Sequence, residues 1–404
     1  MTQPYGCKAR KIRKNTKERT DVGLSEFGSP LLKMAKIKIG IMGWENGHCF
    51  YLYHSLLREP DVEVVAASFG PRQRIIYETR FGKEAFAGVD IFYDDKQMLD
   101  AHPEITACIC GGANNRHLEQ FRLCAERGIH VISMKAPSYD MDEYNEMIRL
   151  QKEHNIVVYI ELEMRWKAAV ERIREVIRSG RLGEIESFVA FNYSHNPFWW
   201  NHWMDVPEES YGKRIPLTPG NRLFRGGALT DHPHIFDLVR YVLDSDFDTV
   251  YAEAAPNMRD GNETEDLVYV IGRMQSGVVF SLDPSYANRE PEQARIFNQN
   301  LSKYPRPVQV ELQVNGSKGT LYSDCYGADY VEYMDPETMK YRVDGIEGLK
   351  IDDQPRIFIR NFVNDILNGT DNAPISLEEH KKSLMAQNAG YDSIYTGQPV
   401  KVEY

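Results

Sequence analysis

The turn Gly40-Ile41-Met42-Gly43-Trp44-Glu45-Asn46-Gly47-His48 follows a β-branched run and leads into helically spaced apolar residues. Glycine between a strand and a helix lets backbone N–H groups and the helix N-terminus approach a pyrophosphate. The GxGxxG fingerprint would need glycine near 43, 45 and 48. Gly43 fits, Gly47 is displaced by one, and Glu45 takes the middle place. A carboxylate beside a pyrophosphate is repelled unless its side chain turns outward. Gly43, Trp44, Glu45, Asn46 and Gly47 are therefore the candidate phosphate turn of a nicotinamide dinucleotide. The second apolar run ends at Ser68-Phe69-Gly70-Pro71-Arg72, without the acid that commonly binds the ribose hydroxyls. Ser68 and Arg72 tolerate a 2′-phosphate, which favours NADP over NAD.

A second chemistry-bearing stretch is Asn192-Tyr193-Ser194-His195-Asn196-Pro197-Phe198-Trp199-Trp200-Asn201-His202-Trp203, with three of the five tryptophans. Aromatic faces interleaved with amide and imidazole donors suit a polyhydroxylated ring, apolar on one face and hydroxyl-rich at its edge. Tyr193, His195, Trp199 and His202 are the candidate substrate contacts, and a packed aromatic lid is the competing structural reading. His195, His202, His232 and His234 show no HxxxH or HExxH spacing, so no metal is expected.

The elements that must position these residues fall into two series. From Lys36 to about Ile160, short apolar runs (Lys36–Met42, Val62–Ser68, Asp90–Tyr93, Thr106–Cys110, His130–Met134, Ile156–Ile160) alternate with helical segments. Near-continuously apolar strands separated by helices predict a doubly wound parallel sheet, the Rossmann arrangement. After Ile160 the rhythm changes to strands with little helix between them. A single helix is predicted over Ala228–Leu243, and two more close the chain at Arg356–Leu367 and Leu377–Tyr395. The expected organisation is a basic, disordered tail over 1–34, a dinucleotide-binding domain over 35–162, and an α+β substrate and oligomerisation domain over 163–404 with a large, mostly antiparallel open sheet.

Composition narrows the classes further. Hydrophobic residues at 42% and charged residues at 26% exclude a fibrous or wholly disordered chain. No apolar run approaches the roughly 18 residues of a membrane span, so no membrane partner is expected. Lys plus Arg at 48 against Asp plus Glu at 59 gives a net charge of −11, a poor match for nucleic-acid phosphates. The six cysteines are scattered without a CxxC pair, which reads as a reduced, cytoplasmic protein.

Several segments together resemble the Gfo/Idh/MocA family of NAD(P)-dependent oxidoreductases, from about Lys36 to the C-terminus. Cys108 to His117 resembles an apolar strand followed by TPNxxH, matched at Asn114 and His117. Gly128 to Pro137 resembles the segment ending in Glu-Lys-Pro, with Lys135 on the lysine, Met134 replacing the glutamate and Ala136 the proline. Ser179-Gly180-Arg181-Leu182-Gly183-Glu184-Ile185 looks like SGxLGxI, and Gly226 to Asp237 resembles GGxxxDxGxHxxD. One residue is missing between Asp231 and His234, which makes His232 a rival to His234. The resemblance implies that Asn114, His117 and Lys135 serve the cofactor, that Lys135, Asp231 and His234 carry the chemistry, and that His232 meets substrate. Histidine would take the hydroxyl proton as hydride moves, lysine would hold the oxygen, and aspartate would orient. The implied substrate is a sugar, sugar acid, cyclitol or related cyclic diol, and the implied partner is a second copy of the chain through the C-terminal sheet. A lyase or glycosidase working through transient oxidation, and a non-catalytic sensor, remain as alternatives.

Overall fold

The computed structural model describes residues 36–70, 74, 77–79, 82–194, 227–255, 265–286, 308–325, 330–335, 340–345 and 354–404. The basic tail, Arg72, His195, Trp199 and His202 lie outside the described residues.

The first series runs β1 (Ile37–Met42), α1 (His48–Leu56), β2 (Val62–Ser68), β3 (Asp90–Phe92), α2 (Asp95–Ala101), β4 (Ala107–Cys110), α3 (His117–Ala125), β5 (His130–Met134), α4 (Met141–His154) and β6 (Val158–Glu161). These strands pair in the order β3-β2-β1-β4-β5-β6, and every ladder is parallel. β4 and β6 are buried along their whole lengths, as expected of strands covered by helices on both faces. Strand order reverses between β1 and β4, so the crevice for a ligand opens above their C-terminal ends.

The second series contains α5 (Ala168–Arg178), β7 (Ile185–Ser194), α6 (Ala228–Asp231), α7 (Pro233–Leu243), β8 (Phe247–Ala254), β9 (Val268–Met274), β10 (Val279–Asp283), β11 (Val308–Gly316), β12 (Gly319–Asp324), β13 (Tyr330–Asp335), β14 (Lys340–Gly345), α8 (Gln354–Asn368), α9 (Leu377–Thr396) and β15 (Val400–Lys401). Nine strands pair in the order β14-β13-β12-β11-β7-β10-β9-β8-β15, antiparallel throughout except for β7 with β10. On one face Phe188, Val250, Val270 and Leu282 pack with Leu229, Phe236 and Ala386 of the helices. The other face leaves Val189, Tyr269, Ile271 and Val279 exposed.

Two features depart from the sequence reading. The single helix predicted over 228–243 is broken at His232, which has φ −109° and ψ 61°. Pro233 explains the break, because its ring disfavours the helical conformation for the residue before it and it starts a new helix well. Late in the chain, α8 returns to the first sheet. Its Phe358, Ile359, Phe362 and Val363 share an apolar cluster with Ile37, Ile39, Leu52 and Tyr159. Phe358 also stacks on Trp166 with ring centroids 3.8 Å apart.

Candidate active site

The turn after β1 is built by close approach. Gly43 has φ +68°, and a Cβ there would stand 2.3 Å from the Gly112 Cα in the turn after β4. Only glycine fits both the left-handed backbone and that contact. Gly47 differs: its φ is −61°, and a Cβ would meet nothing within 4 Å. Glu45 resolves the repulsion foreseen for it by folding back. Its Oε2 accepts the Trp44 backbone N–H at 2.9 Å, and Oε1 lies 3.9 Å from the Arg116 guanidinium. Burial raises the Glu45 pKa, against backbone hydrogen bonds and Arg116 that lower it.

Trp44 is a correction to the cofactor set. Its indole is buried, stacked on Phe69 at 4.9 Å and edge-on to Tyr53, Tyr77 and Phe86, so the side chain belongs to the core. Asn46 fits a ligand better, because its Nδ2 is buried with no hydrogen-bond partner among the described residues. At the end of β2, Ser68 Oγ donates to Asp95 at the start of α2, and the Asp95 carboxylate also accepts from Arg116 and Gln120, each at 2.8 Å. An acid therefore stands beside Ser68, carried by α2 rather than by the end of β2. Asn114 and His117 are also spent differently from their assignment. Asn114 Nδ2 donates to the Ala136 carbonyl at 3.1 Å, while His117 has its two ring nitrogens against the carbonyls of Gly112, Ala136 and Pro137. They hold the loop that follows Lys135.

That loop delivers Lys135, just beyond β5, to the end of α6. Its Nζ donates to the Asp231 carbonyl at 2.9 Å and stands 3.4 Å from Asp231 Oδ1. The Tyr286 hydroxyl donates to Asp231 Oδ2 at 3.0 Å. Burial works to raise the Asp231 pKa, but Lys135, His232 and Tyr286 hold it below the ordinary carboxylate value. The broken helix puts Asp231 and His234 in the same buried region despite their shortened spacing. His234 is 5% exposed and its Nδ1 has no partner among the described residues. Burial, with the charges of Lys135, His48 and His232 added, pushes its pKa well below the usual imidazole value, so it is neutral at pH 7. The rival, His232, is occupied: Nδ1 faces the Pro284 carbonyl and Nε2 the Ser194 hydroxyl at 3.0 Å. Behind this centre, Arg165 grips Asp237 of α7 with two bonds of 2.6 and 2.7 Å and fixes the helix that carries His234.

Tyr193 is a second correction. Alternation along β7 turns it to the outer face, where it stacks on Phe191 at 4.4 Å and donates to Asp283 at 2.7 Å. Its neighbours Asn192 and Ser194 point inward. Asn192 is fully buried with neither side-chain polar atom partnered among the described residues. Sequence reasoning missed Asn192, Tyr286, Asp95 and His48. His48 and Asn192 carried a signal, His48 at the third fingerprint position and Asn192 at the head of the aromatic stretch.

A nucleotide-type parallel sheet whose strand end carries a lysine against an aspartate from a second, open sheet unit defines a two-part Rossmann-type protein. Residues 170–322 match the GFO/IDH/MocA C-terminal domain, which relates this part of the chain to the Gfo/Idh/MocA oxidoreductases. It is 22% identical over 333 residues to the myo-inositol 2-dehydrogenase of Thermotoga maritima, covering 78% of this chain and 85% of that one. Among solved structures, levoglucosan dehydrogenase in complex with NADH and L-sorbose superposes with a TM-score of 0.70 at 18% identity, covering 92% of this chain and 100% of the other. The myo-inositol 2-dehydrogenase of Lactobacillus plantarum gives 0.69 at 17% identity, covering 91% and 100%. No helix among the described residues is long and apolar enough to cross a membrane.

Proposed function

We propose that the chain is an NAD(P)-dependent oxidoreductase that moves a hydride between nicotinamide and a secondary hydroxyl or ketone of a sugar, sugar acid or cyclitol. The observation that carries the reading is Lys135 Nζ held 2.9 Å from the Asp231 carbonyl beside a buried, neutral His234. The dehydrogenase names of the relatives support the same class.

The cofactor fits the residues present. Gly43 allows the two turns to approach, Asn46 offers an unpartnered buried amide, and Glu45 is folded away. Gly43, Asn46 and Gly47 would hold the diphosphate against the N-terminus of α1. Nicotinamide, when bound, supplies the hydride acceptor or donor. His234 takes the hydroxyl proton as the carbon–hydrogen bond breaks, and it is available because burial keeps it neutral. Lys135 binds the same oxygen and stabilises the charge that develops there. Asp231, itself held by Tyr286, positions the ammonium and leaves its second oxygen near His232. Asn192 and Ser194 line the inner end of β7, where a hydroxyl-rich ring would be read. The Asp95 carboxylate beside Ser68 supports NAD as the cofactor, whereas Arg72, on which the NADP expectation rests, lies outside the described residues. The exposed Val189, Tyr269, Ile271 and Val279 make the outer sheet face the contact for a second copy of the chain.

The test is a titration of the purified protein with NADH and NADPH, followed by a polyol screen including myo-inositol and levoglucosan with reduced-nicotinamide absorbance as readout. The expected result is tighter NADH binding, and a loss of about 10²–10³-fold in kcat for Lys135→Ala. A folded protein that binds neither nucleotide, or a Lys135→Ala variant as fast as the parent, overturns the reading.

A further inference from the structure

Apart from the Lys135–Asp231 centre, the described residues gather one set of metal-capable side chains: His48, Glu161 and Glu163, whose donor atoms all lie within 4.8 Å of one another. The set joins the middle of the first sheet to its β6 edge. His48 opens α1, Glu161 closes β6, and Glu163 follows two residues later. His48 Nδ1 is 2.9 Å from Glu161 Oε2. The Tyr51 hydroxyl, one turn along α1, bonds to Glu161 Oε1 and lies 3.4 Å from Glu163 Oε2.

Two carboxylates brought this close, one of them with no exposed side-chain surface, share the His48 imidazole and the Tyr51 hydroxyl as hydrogen-bond partners, and a cation among them would compensate their charge directly. A protonated His48 would neutralise one. A divalent ion would neutralise both and accept neutral imidazole as its nitrogen donor. The fingerprint adds weight, because glycine is what position 48 should hold beside a pyrophosphate, and the chain has a metal-ligating side chain there instead.

We propose that His48, Glu161 and Glu163 bind one divalent first-row transition-metal ion, of the zinc or manganese class. One imidazole and two carboxylates suit these ions better than calcium, which takes oxygen ligands only. Three protein ligands leave a position open for water or for a hydroxyl oxygen of the substrate. Tyr51 orients both carboxylates from behind, as outer partners of metal ligands do. The site does not depend on the hydride-transfer reading and stands even if the chain reduces nothing.

The test is calorimetric titration of the metal-stripped, full-length protein with Zn²⁺ and, separately, Mn²⁺ near neutral pH. One equivalent binds at micromolar concentration or tighter, with proton release visible as a dependence on buffer ionisation enthalpy. Glu163→Gln and His48→Gln each weaken binding at least tenfold while the unfolding transition is retained. Tyr51→Phe, which keeps the ring, weakens it by about tenfold or more and serves if a ligand variant fails to fold. Absence of stoichiometric binding by the folded protein, or undiminished binding by all three variants, overturns the proposal.

Discussion

Replacing Gly43 by alanine tests whether the turn after β1 is built by contact with the turn after β4. Two costs can be worked from the structure. The φ of +68° places an L-residue in the left-handed region, at about 1–2 kcal/mol. The new methyl would stand 2.3 Å from Gly112 Cα and 2.6 Å from its nitrogen, and backbone cannot rotate aside as a side chain can. Forced overpacking of this kind costs about 1–3 kcal/mol. The expected loss is therefore about 2–5 kcal/mol, read as a fall in ΔG from equilibrium urea unfolding. Gly47→Ala is the internal comparison. Its φ of −61° is helical and its surroundings are open, so the change should lie between neutral and about 1 kcal/mol of stabilisation. NADH affinity should fall for Gly43→Ala in the same experiment series. A Gly43→Ala variant within about 0.5 kcal/mol of the parent, well below the overpacking cost, or two variants equally destabilised, would refute the close-approach argument.

Three further outcomes follow from other parts of the molecule. Asp237→Ala leaves the Arg165 guanidinium buried without its carboxylate and should cost about 3–5 kcal/mol in urea unfolding. Arg165→Met combined with Asp237→Leu should recover most of that loss, and a single variant that unfolds with the parent would show the pair to be dispensable. The acid limb of stability is the third. Burial holds His380 at about 4, whereas the unfolded imidazole titrates near 6.5. The unfolded chain therefore takes up this proton first, so the contribution of about 3 kcal/mol is intact above pH 6.5 and lost as pH falls toward 4. His380→Gln should flatten that limb by about 1.4 kcal/mol per pH unit, and His117, His232 and His234, also lowered, keep the remainder. An unchanged slope would show that His380 titrates normally in the folded protein.

The parallel sheet was legible because its strands are buried on both faces and read as unbroken apolar runs, such as Ala107–Cys110. The second sheet was legible from alternation and turns, yet side-chain parity near a strand end was not. Tyr193 reads like its neighbours in sequence, and only pairing with β10 and β11 decides that it faces outward while Asn192 faces in. The break at His232 was available in principle from Pro233, but helical apolar spacing on both sides concealed it. Asp95 on Ser68 and His48 on Glu161 join residues 27 and 113 positions apart, contacts that local pattern cannot report.

The return of α8 to the first sheet has a consequence for synthesis of the chain. The last strand of that sheet is complete at Glu161, yet Phe358, Ile359, Phe362 and Val363, which cover Ile37, Ile39 and Leu52, are added some two hundred residues later. At ordinary ribosomal rates that interval is roughly 10–40 s. Throughout it the nascent sheet shows an uncovered apolar face. The protein therefore cannot mature in two successive halves from the ribosome, and chaperone engagement during translation should concentrate on the window before α8 emerges. A chain truncated ahead of Gln354 would remain in that state, with the sheet formed and its cover missing.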